Sequence, residues 1–112
     1  MLKALWNKFR AAFEERWVDR RIEMAKGDFL PSQMPRRNLV LVHDAGEHWS
    51  VGFKCPCGCG RTIELLLVRE ANPHWELHIG TGGRPTLTPS VWLRDGCRSH
   101  FWVRNGKIMW CV

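Results

Sequence analysis

The feature that most constrains this chain is a cluster of cysteines placed among tight-turn residues. The segment Cys55-Pro56-Cys57-Gly58-Cys59-Gly60 carries three thiols among residues that favour a sharp turn. A second motif, Cys97-Arg98-Ser99-His100, follows much later in the chain. A tetrahedral metal ion needs four nitrogen or sulfur ligands, which two such turns can supply together. The sequence therefore predicts one metal site assembled from two distant segments.

The two motifs also indicate which side chains bind the ion. The favoured ligands are Cys55, Cys57, Cys97 and His100. Cys59 and Cys111 are reserve ligands. The alternative is that these cysteines are small buried apolar residues, as free cysteines often are. Thiols around proline and glycine turns are poor core formers, so the pattern favours metal binding.

The inclusion of Cys111 depends on a hairpin predicted near the end of the chain. Asn105-Gly106 is a strong signal for a two-residue turn. That turn would pair Arg104 with Lys107 and, further from the turn, His100 with Cys111. Cys111 would then lie close to the metal, either as a ligand or as a thiol just outside the coordination sphere.

Two kinds of metal centre are compatible with these motifs. Zn²⁺ suits a closed site of cysteine and histidine, and it would add folding free energy that a small core lacks. A [2Fe–2S] cluster is the rival, because Cys55-Pro56-Cys57 and Cys97-Arg98-Ser99-His100 resemble the two boxes of Rieske proteins. However, a cysteine replaces the first-box histidine, and Ser99 stands where the resemblance would imply a disulfide-forming cysteine. We therefore favour zinc.

Short runs of β-branched and aromatic residues, separated by turn signals, begin at Asn38. They predict strands over residues 38–42, 48–53, 62–68, 74–79, 100–104 and 107–112. The predicted fold is mainly β, a small antiparallel Rieske-like or zinc-ribbon sandwich or barrel that forms a metal-binding domain over residues 38–112. Residues 86–90 are expected to form a loop over the metal, in which Ser90 lacks an evident catalytic base.

The N-terminal segment follows a different pattern. Residues 2–26 lack glycine and proline and place large apolar residues at steps of three or four, which predicts an amphipathic helix. These apolar residues are Leu2, Trp6, Phe9, Phe13 and Trp17. Gly27 is the expected end of this helical segment, residues 1–27. Two prolines make residues 28–37 a predicted linker.

Three kinds of partner suit this helix. Its apolar stripe is expected to pack on the sheet or on a protein partner, such as a component of the pathway in which the chain works. The seven Lys and Arg residues within residues 2–26 also suit an anionic membrane or nucleic acid. Acidic residues interrupt the basic face, which favours packing on protein over both of these. They are Glu14, Glu15, Asp19 and Glu23.

Composition limits the remaining choices. The chain of 112 residues is 45% hydrophobic, carries a formal charge of +6 and contains five cysteines. These values are typical of one globular domain. The sequence has no apolar run long enough for a transmembrane segment and no signal-peptide pattern, so a cytoplasmic location is expected. An odd number of cysteines in a reducing compartment argues for metal binding over a disulfide framework.

Three stretches of the sequence resemble a known family: FKCPCGCGRTIELLL, RPTLTPSVW and GCRSHFWVRNGKIMWC. It is a small, uncharacterised bacterial family whose genes lie in operons with ubiquitin-like proteins and their E1-, E2- and deubiquitinase-like enzymes. The resemblance runs from about Arg37 to Cys111. It implies a metal-binding accessory protein of a ubiquitin-like conjugation or defence pathway.

Four functions are compatible with these features. The favoured one is a zinc-binding, non-enzymatic adaptor in such a pathway, because a closed four-ligand site leaves no position for substrate. Two alternatives are a [2Fe–2S] electron-transfer protein and a nucleic-acid-binding zinc ribbon, the latter suggested by the basic charge and the many tryptophans. An enzyme would require a zinc ion with only three protein ligands, or a surplus thiol that carries an acyl group.

Overall fold

The computed structural model describes residues 2–111. These residues form one α-helix and eight strands. In chain order the elements are α1 (Leu2–Trp17), β1 (Ile22–Lys26), β2 (Leu39–Asp44), β3 (Glu47–Lys54), β4 (Thr62–Leu66), β5 (Glu76–Ile79), β6 (Pro85–Trp92), β7 (His100–Arg104) and β8 (Lys107–Trp110). Met1 and Val112, the outer ends of the predicted helical segment and of the last predicted strand, lie outside the described residues.

The eight strands form two four-stranded sheets. The first has the order β1-β2-β3-β4 and the second has the order β5-β6-β7-β8. Neighbouring strands are antiparallel except β1 and β2, which are parallel. The predicted fold class, mainly β with an N-terminal helix, is therefore confirmed. The strands of residues 2–111 make two open sheets and not a closed barrel.

The two sheets share one apolar core. A cluster of ten buried residues contains members of both sheets, and at its centre the rings of Phe53 and Phe101 meet edge to face at 6.1 Å. Burial of large aromatic side chains is the main source of stability in a domain of this size. Phe53 lies two residues before Cys55, and Phe101 directly follows His100. The core thus fixes the strand ends from which both predicted metal-binding motifs extend.

The C-terminal hairpin has the predicted register. Arg104 pairs with Lys107 across the turn, and the amide of Cys111 donates to the carbonyl of His100 at 2.9 Å. Both turn residues, Asn105-Gly106, have positive φ angles. A two-residue turn of this kind requires positive φ at both positions, which asparagine and glycine adopt most readily.

The predicted helix over residues 2–26 is too long. The helix ends at Trp17, and the residues from Ile22 onward form β1 beside β2. The cause is tertiary, because the amide of Arg20 donates to the carbonyl of Gly106 at 2.8 Å, which directs the chain onto the sandwich. Gly27 therefore follows a strand and does not cap a helix.

Two further expectations differ from the structure. Residues 86–90, expected as a loop, belong to β6, in which Pro85 is the first residue and Pro89 lies where the pairing with β7 becomes irregular. Proline is tolerated at such positions because no ladder hydrogen bond is lost there. In addition, α1 has no buried residue, so its apolar stripe does not pack on the sheet. Within residues 2–111, no helix has the length and apolar character needed to cross a bilayer.

Candidate functional site

Four cysteine side chains converge at one end of the sandwich. The Sγ atoms of Cys55, Cys57, Cys59 and Cys97 all lie within 4.8 Å of one another. The distances from Cys55 Sγ to Cys57 Sγ and to Cys97 Sγ are 3.4 and 3.7 Å. A zinc ion with Zn–S bonds of about 2.3 Å in a tetrahedron would separate its sulfur ligands by about 3.8 Å. The spacing of this cluster therefore fits a single tetrahedral ion.

The first three thiols come from a tight turn after β3. The amide of Cys55 donates to the carbonyl of Arg61 at 2.8 Å, and the amide of Gly58 donates to the carbonyl of Cys55 at 3.1 Å. Gly58 and Gly60 adopt φ angles of 90° and 87°. Only glycine adopts such angles readily, so the glycines allow the chain to fold back and turn the three thiols to one side.

The fourth thiol comes from a turn before β7. There the amide of Arg98 donates to the carbonyl of Asp95 at 3.2 Å. The hydroxyl of Ser99 lies 3.2 Å from Cys97 Sγ and 3.6 Å from Cys55 Sγ. Hydrogen-bonding groups of this kind orient metal ligands.

An ion pair joins the two cysteine-bearing turns. The guanidinium of Arg61, at the end of the first turn, lies 2.7 Å from a carboxylate oxygen of Asp95, at the start of the second. Asp95 also supplies the carbonyl that closes the second turn. The two turns are therefore connected both through the sulfur cluster and through this pair.

The thiols of the cluster differ in acidity. Burial raises the pKa of the Cys55 thiol to about 12. The hydrogen bond from Ser99 is the main cause that lowers the pKa of Cys97 to about 6. Near neutral pH Cys97 is therefore a thiolate, whereas Cys55 keeps its proton until a cation displaces it. Soft thiolate ligands in a tetrahedral arrangement are typical of zinc or iron sites.

The sequence-predicted ligands divide into two groups. Cys55, Cys57 and Cys97 belong to the cluster, and the reserve ligand Cys59 is its fourth member. His100 is not part of this four-residue group, although the sequence favoured it as a ligand. The thiol of Cys111 is also outside the group, although its backbone pairs with His100 as predicted.

His100 instead faces a serine. Its Nε2 atom lies 3.0 Å from the Oγ atom of Ser90, and both side chains are half-buried. Because the sequence suggested a loop at Ser90 and a metal ligand at His100, it left the serine without a base. The structure places the His100 imidazole beside Ser90 from the neighbouring strand, since Trp92 and His100 are cross-strand partners and Ser90 lies two residues from Trp92.

The pairing of β6 with β7 is irregular beside this serine. Leu87 pairs with Val103, and Val91 pairs with Phe101, so the segment between the two pairs has two more residues in β6 than in β7. Bulges of this kind redirect side chains and occur often beside active sites. The indole N–H of Trp75 donates to the carbonyl of Ser90 at 3.3 Å and holds the bulged backbone in place.

An aromatic stack holds the imidazole. The rings of Trp92 and His100 are nearly parallel, with centroids 4.5 Å apart and an interplanar angle of 6°. The guanidinium carbon of Arg94 lies 3.9 Å from the centroid of the same indole ring. A serine hydroxyl within hydrogen-bond distance of an oriented imidazole has the geometry of an activated nucleophile.

The two sites share one short segment. Cys97 belongs to the sulfur cluster, the Ser99 hydroxyl lies within hydrogen-bond distance of it, and His100 begins β7 and faces Ser90. Two sheets, a four-thiol cluster and an adjacent serine–histidine pair thus define a small β-sandwich protein with a candidate metal site and a candidate nucleophile.

Comparison with known families agrees with this class. A family model described as bacterial ubiquitination-like system serine protease (BubE) matches residues 26–111, and the chain belongs to this family. The matched residues include both sites and leave out α1. Searches of curated proteins and of solved structures gave no match. The earlier resemblance to a family from bacterial ubiquitin-like systems is confirmed at this level.

Proposed function

We propose that the chain is a serine protease in which Ser90 is the nucleophile and His100 is the general base. The observation that carries this proposal is the distance of 3.0 Å between Ser90 Oγ and His100 Nε2. The description of the family as serine proteases supports the same assignment. The sequence alone favoured a non-enzymatic protein because a closed four-ligand metal site leaves no position for substrate.

The reaction follows from the chemistry of the pair. His100 Nε2 accepts the Ser90 proton as Oγ attacks the carbonyl carbon of a peptide or isopeptide bond. The resulting imidazolium then donates that proton to the leaving amine as the C–N bond breaks, which leaves an ester on Ser90. In the second half, His100 accepts a proton from water as the water oxygen attacks the ester carbonyl carbon. The proton then passes to Ser90 Oγ as the bond between the acyl carbon and Oγ breaks and the carboxylic acid leaves. No net change in the two residues results.

Trp92 takes part of the orienting role that a carboxylate has in a three-residue triad. Its indole ring covers one face of the His100 imidazole and limits rotation of that ring. Cross-strand pairing of Trp92 with His100 fixes the relative height of the two rings on the sheet. His100 is therefore positioned by packing and strand register.

We propose that the sulfur cluster holds zinc through Cys55, Cys57, Cys59 and Cys97. Four protein thiolates close the coordination sphere, so the ion would have a structural role and would not bind substrate. The mutual spacing of the thiols favours one ion over a [2Fe–2S] cluster, which distributes its cysteines over two irons. His100 would thereby remain free for catalysis.

The proposed substrate is a protein of a bacterial ubiquitination-like system, because the family is described as part of such a system. All five cysteines are free. Unpaired thiols persist in a reducing compartment, which supports the expected cytoplasmic location.

A fluorophosphonate probe tests the nucleophile without a known substrate. It forms a covalent bond with activated serines, and we expect labelling of the wild-type protein at Ser90, located by peptide mass spectrometry. Ser90→Ala should abolish labelling, and His100→Gln should slow it by about a thousandfold. Thr88→Ala is the matched control, because Thr88 is an exposed hydroxyl in the same strand. Equal labelling of the wild type and Ser90→Ala would rule out the proposal.

A second candidate is the zinc-binding adaptor without enzymatic activity. It is favoured by the closed set of four thiols and by the exposed apolar stripe of α1. The two candidates differ in one variant: an adaptor would retain its role in the pathway after Ser90→Ala, whereas a protease would lose it. Partner capture by both forms, measured alongside substrate cleavage, separates them.

A further inference from the structure

The helix α1 carries an apolar stripe that the rest of the molecule leaves uncovered. Leu2 is 84% exposed, Trp6 is 62% exposed, and both Phe9 and Trp17 are 67% exposed. Phe13 is also more than half exposed. The rings of Trp6 and Phe9 stack with centroids 6.4 Å apart, so these two members of the stripe form one aromatic surface. Exposed apolar side chains grouped on one face are typical of a binding surface.

The opposite face of α1 is turned toward the sandwich. Asn7, Ala11 and Glu15, which follow one another at steps of four, line a cleft of about 500 Å³ between the helix and the turn that begins at Cys55. Residues at this spacing share one side of a helix. The apolar stripe therefore points away from the body of the protein.

Ion pairs hold the helix in this orientation. Glu14 pairs with Arg36, and Arg37 donates to the backbone carbonyl of Glu14 at 3.2 Å. Glu15 lies 2.6 Å from Arg20 and 3.7 Å from Arg37. The arginine partners lie outside the helix, so these contacts attach α1 to the rest of the molecule.

The same contacts change the charge of the free surface. Glu14 and Glu15 are neutralised against the body, and the other two acidic residues that interrupted the predicted basic face lie beyond the end of α1. Arg10 of the helix lies 3.9 Å from Glu14 and lines the cleft. The other three cationic residues of the helix, Lys3, Lys8 and Arg16, are exposed. An aromatic face bordered by cations, with its acidic residues turned inward, is the pattern of a helix that lies at an anionic lipid interface.

We propose that α1 lies in the plane of an anionic membrane surface, with the aromatic stripe inserted at the level of the lipid headgroups. Lysine and arginine on the border of the stripe would contact the phosphates, and each basic side chain near such a surface adds to the attraction. A second copy of this chain is a poorer occupant, because the two stripes would bring two cationic borders together. The helix lies in the membrane plane and does not cross it, in agreement with its length of 16 residues.

The proposal is independent of the protease assignment. It rests on the exposure of the stripe and on the inward-facing acidic residues, both in α1, whereas the catalytic assignment rests on β6 and β7. Because the ion pairs fix the helix on the sandwich, membrane binding would also fix the orientation of the whole domain.

Vesicle flotation of the full chain tests the proposal. We expect the protein to float with vesicles of phosphatidylglycerol and phosphatidylcholine in equal parts, and not with phosphatidylcholine alone. The double variant Trp6→Ala/Phe13→Ala should reduce binding roughly a hundredfold or more, because two large rings no longer leave water. The double variant Lys3→Glu/Lys8→Glu should also lose binding, and added salt should weaken binding of the wild type.

Matched controls separate this surface from other exposed aromatics. Trp49→Ala removes a partly exposed indole on β3 and should leave flotation unchanged. Far-UV circular dichroism and thermal unfolding should be the same in all variants, because the altered side chains are not buried. Equal binding to neutral vesicles, or no binding to either kind, would overturn the proposal. So would a concentration-dependent dimer, measured by analytical ultracentrifugation, that Trp6→Ala/Phe13→Ala dissolves, or recovery of wild-type protein on nucleic acid instead of vesicles.

Discussion

The sulfur cluster and the Ser90–His100 pair meet in one four-residue segment, residues 97–100, which supplies Cys97 to the first and His100 to the second, yet they are built differently. The cluster joins two turns that are far apart in sequence, and Cys55 is buried in it while its other three cysteines are exposed. The serine and histidine are half-buried and lie on adjacent strands of a single sheet. This difference suits the two proposed roles, a structural metal site and a catalytic pair, and it predicts that each can be removed without the other.

The largest effect is expected when the sulfur cluster is broken. Cys97→Ala removes the only cysteine of the second turn from the cluster, so the two turns lose their common ion. We expect loss of about one bound metal ion per chain and destabilisation by about 5 kcal/mol or more, since metal binding is coupled to folding. Metal analysis by mass spectrometry and thermal unfolding measure both quantities. Chelation of the wild type should have the same effect.

Cys111→Ala is the control for that experiment, because it removes a cysteine outside the cluster and should keep the metal. His100→Gln should keep it as well, which distinguishes the structural cluster from the ligand set that the sequence favoured. Retention of a full metal equivalent by Cys97→Ala would contradict the four-cysteine assignment.

For the proposed nucleophile we expect a large loss of activity and little change in stability. Ser90→Ala should lower the rate of substrate cleavage by about a thousandfold or more, and change the free energy of unfolding by less than about 1 kcal/mol. The reason is that the Ser90 hydroxyl forms a side-chain hydrogen bond only with His100 among the described residues. A parallel urea titration checks stability. If Ser90→Ala lowers the free energy of unfolding as much as Cys97→Ala does, the two sites are not separable.

A moderate effect is expected for the stacked indole. Trp92→Ala leaves both catalytic side chains in place but frees the His100 ring, so kcat should fall about tenfold while KM changes little, in line with the strength of aromatic pairs. Trp92→Phe should restore most of the rate because it keeps a ring against the imidazole. If Trp92→Phe is as slow as Trp92→Ala, the stack does not position His100. Trp49→Ala, on the other sheet, is the control for loss of a tryptophan.

The smallest effect is expected at the ion pair between the two turns. The Arg61 guanidinium lowers the pKa of the Asp95 carboxyl through a hydrogen bond. The contact is therefore complete above the ordinary pKa of the carboxyl and is lost as the pH falls through the lowered value. At neutral pH Asp95→Asn should weaken metal binding less than tenfold, because exposed ion pairs contribute little. Chelator competition at low and high salt measures this, and a loss as large as that of Cys97→Ala would contradict it.

Much of this fold follows from local patterns. The Asn105-Gly106 turn predicted the register of β7 and β8, and the cysteine spacing predicted three of the four members of the sulfur cluster. Both depend on residues close together in sequence, where turn geometry decides the outcome. Local patterns did not decide whether Cys59 or His100 lies beside the other thiols. The position of the His100 ring depends on its contacts with Ser90 and Trp92 on the neighbouring strand.

The missed features all depend on distant partners. β1 forms because it pairs in parallel with the edge of β2, and no local pattern in residues 22–26 predicts that pairing. Residues 86–90 were expected to form a loop, and only the pairing with β7 makes this segment a strand. Once that strand was missed, Ser90 could not be brought beside His100. The signal that could have found the pair was the alternation of Leu87, Val91 and other apolar residues around Pro85 and Pro89.

Gly106 has two roles in one position. Its φ angle of 79° suits the hairpin turn, and a Cβ atom added there would lie only 2.5 Å from the carbonyl oxygen of Arg20. The backbone at Arg20, just after α1, therefore packs directly against the backbone of the turn between β7 and β8. Asparagine, which often substitutes for glycine at positive φ, would satisfy the turn and still displace the backbone at Arg20. Substitution of Gly106 is therefore limited by its contact with Arg20 as well as by the turn. A mutational scan should find glycine required at this position, although hairpin rules alone would also allow asparagine.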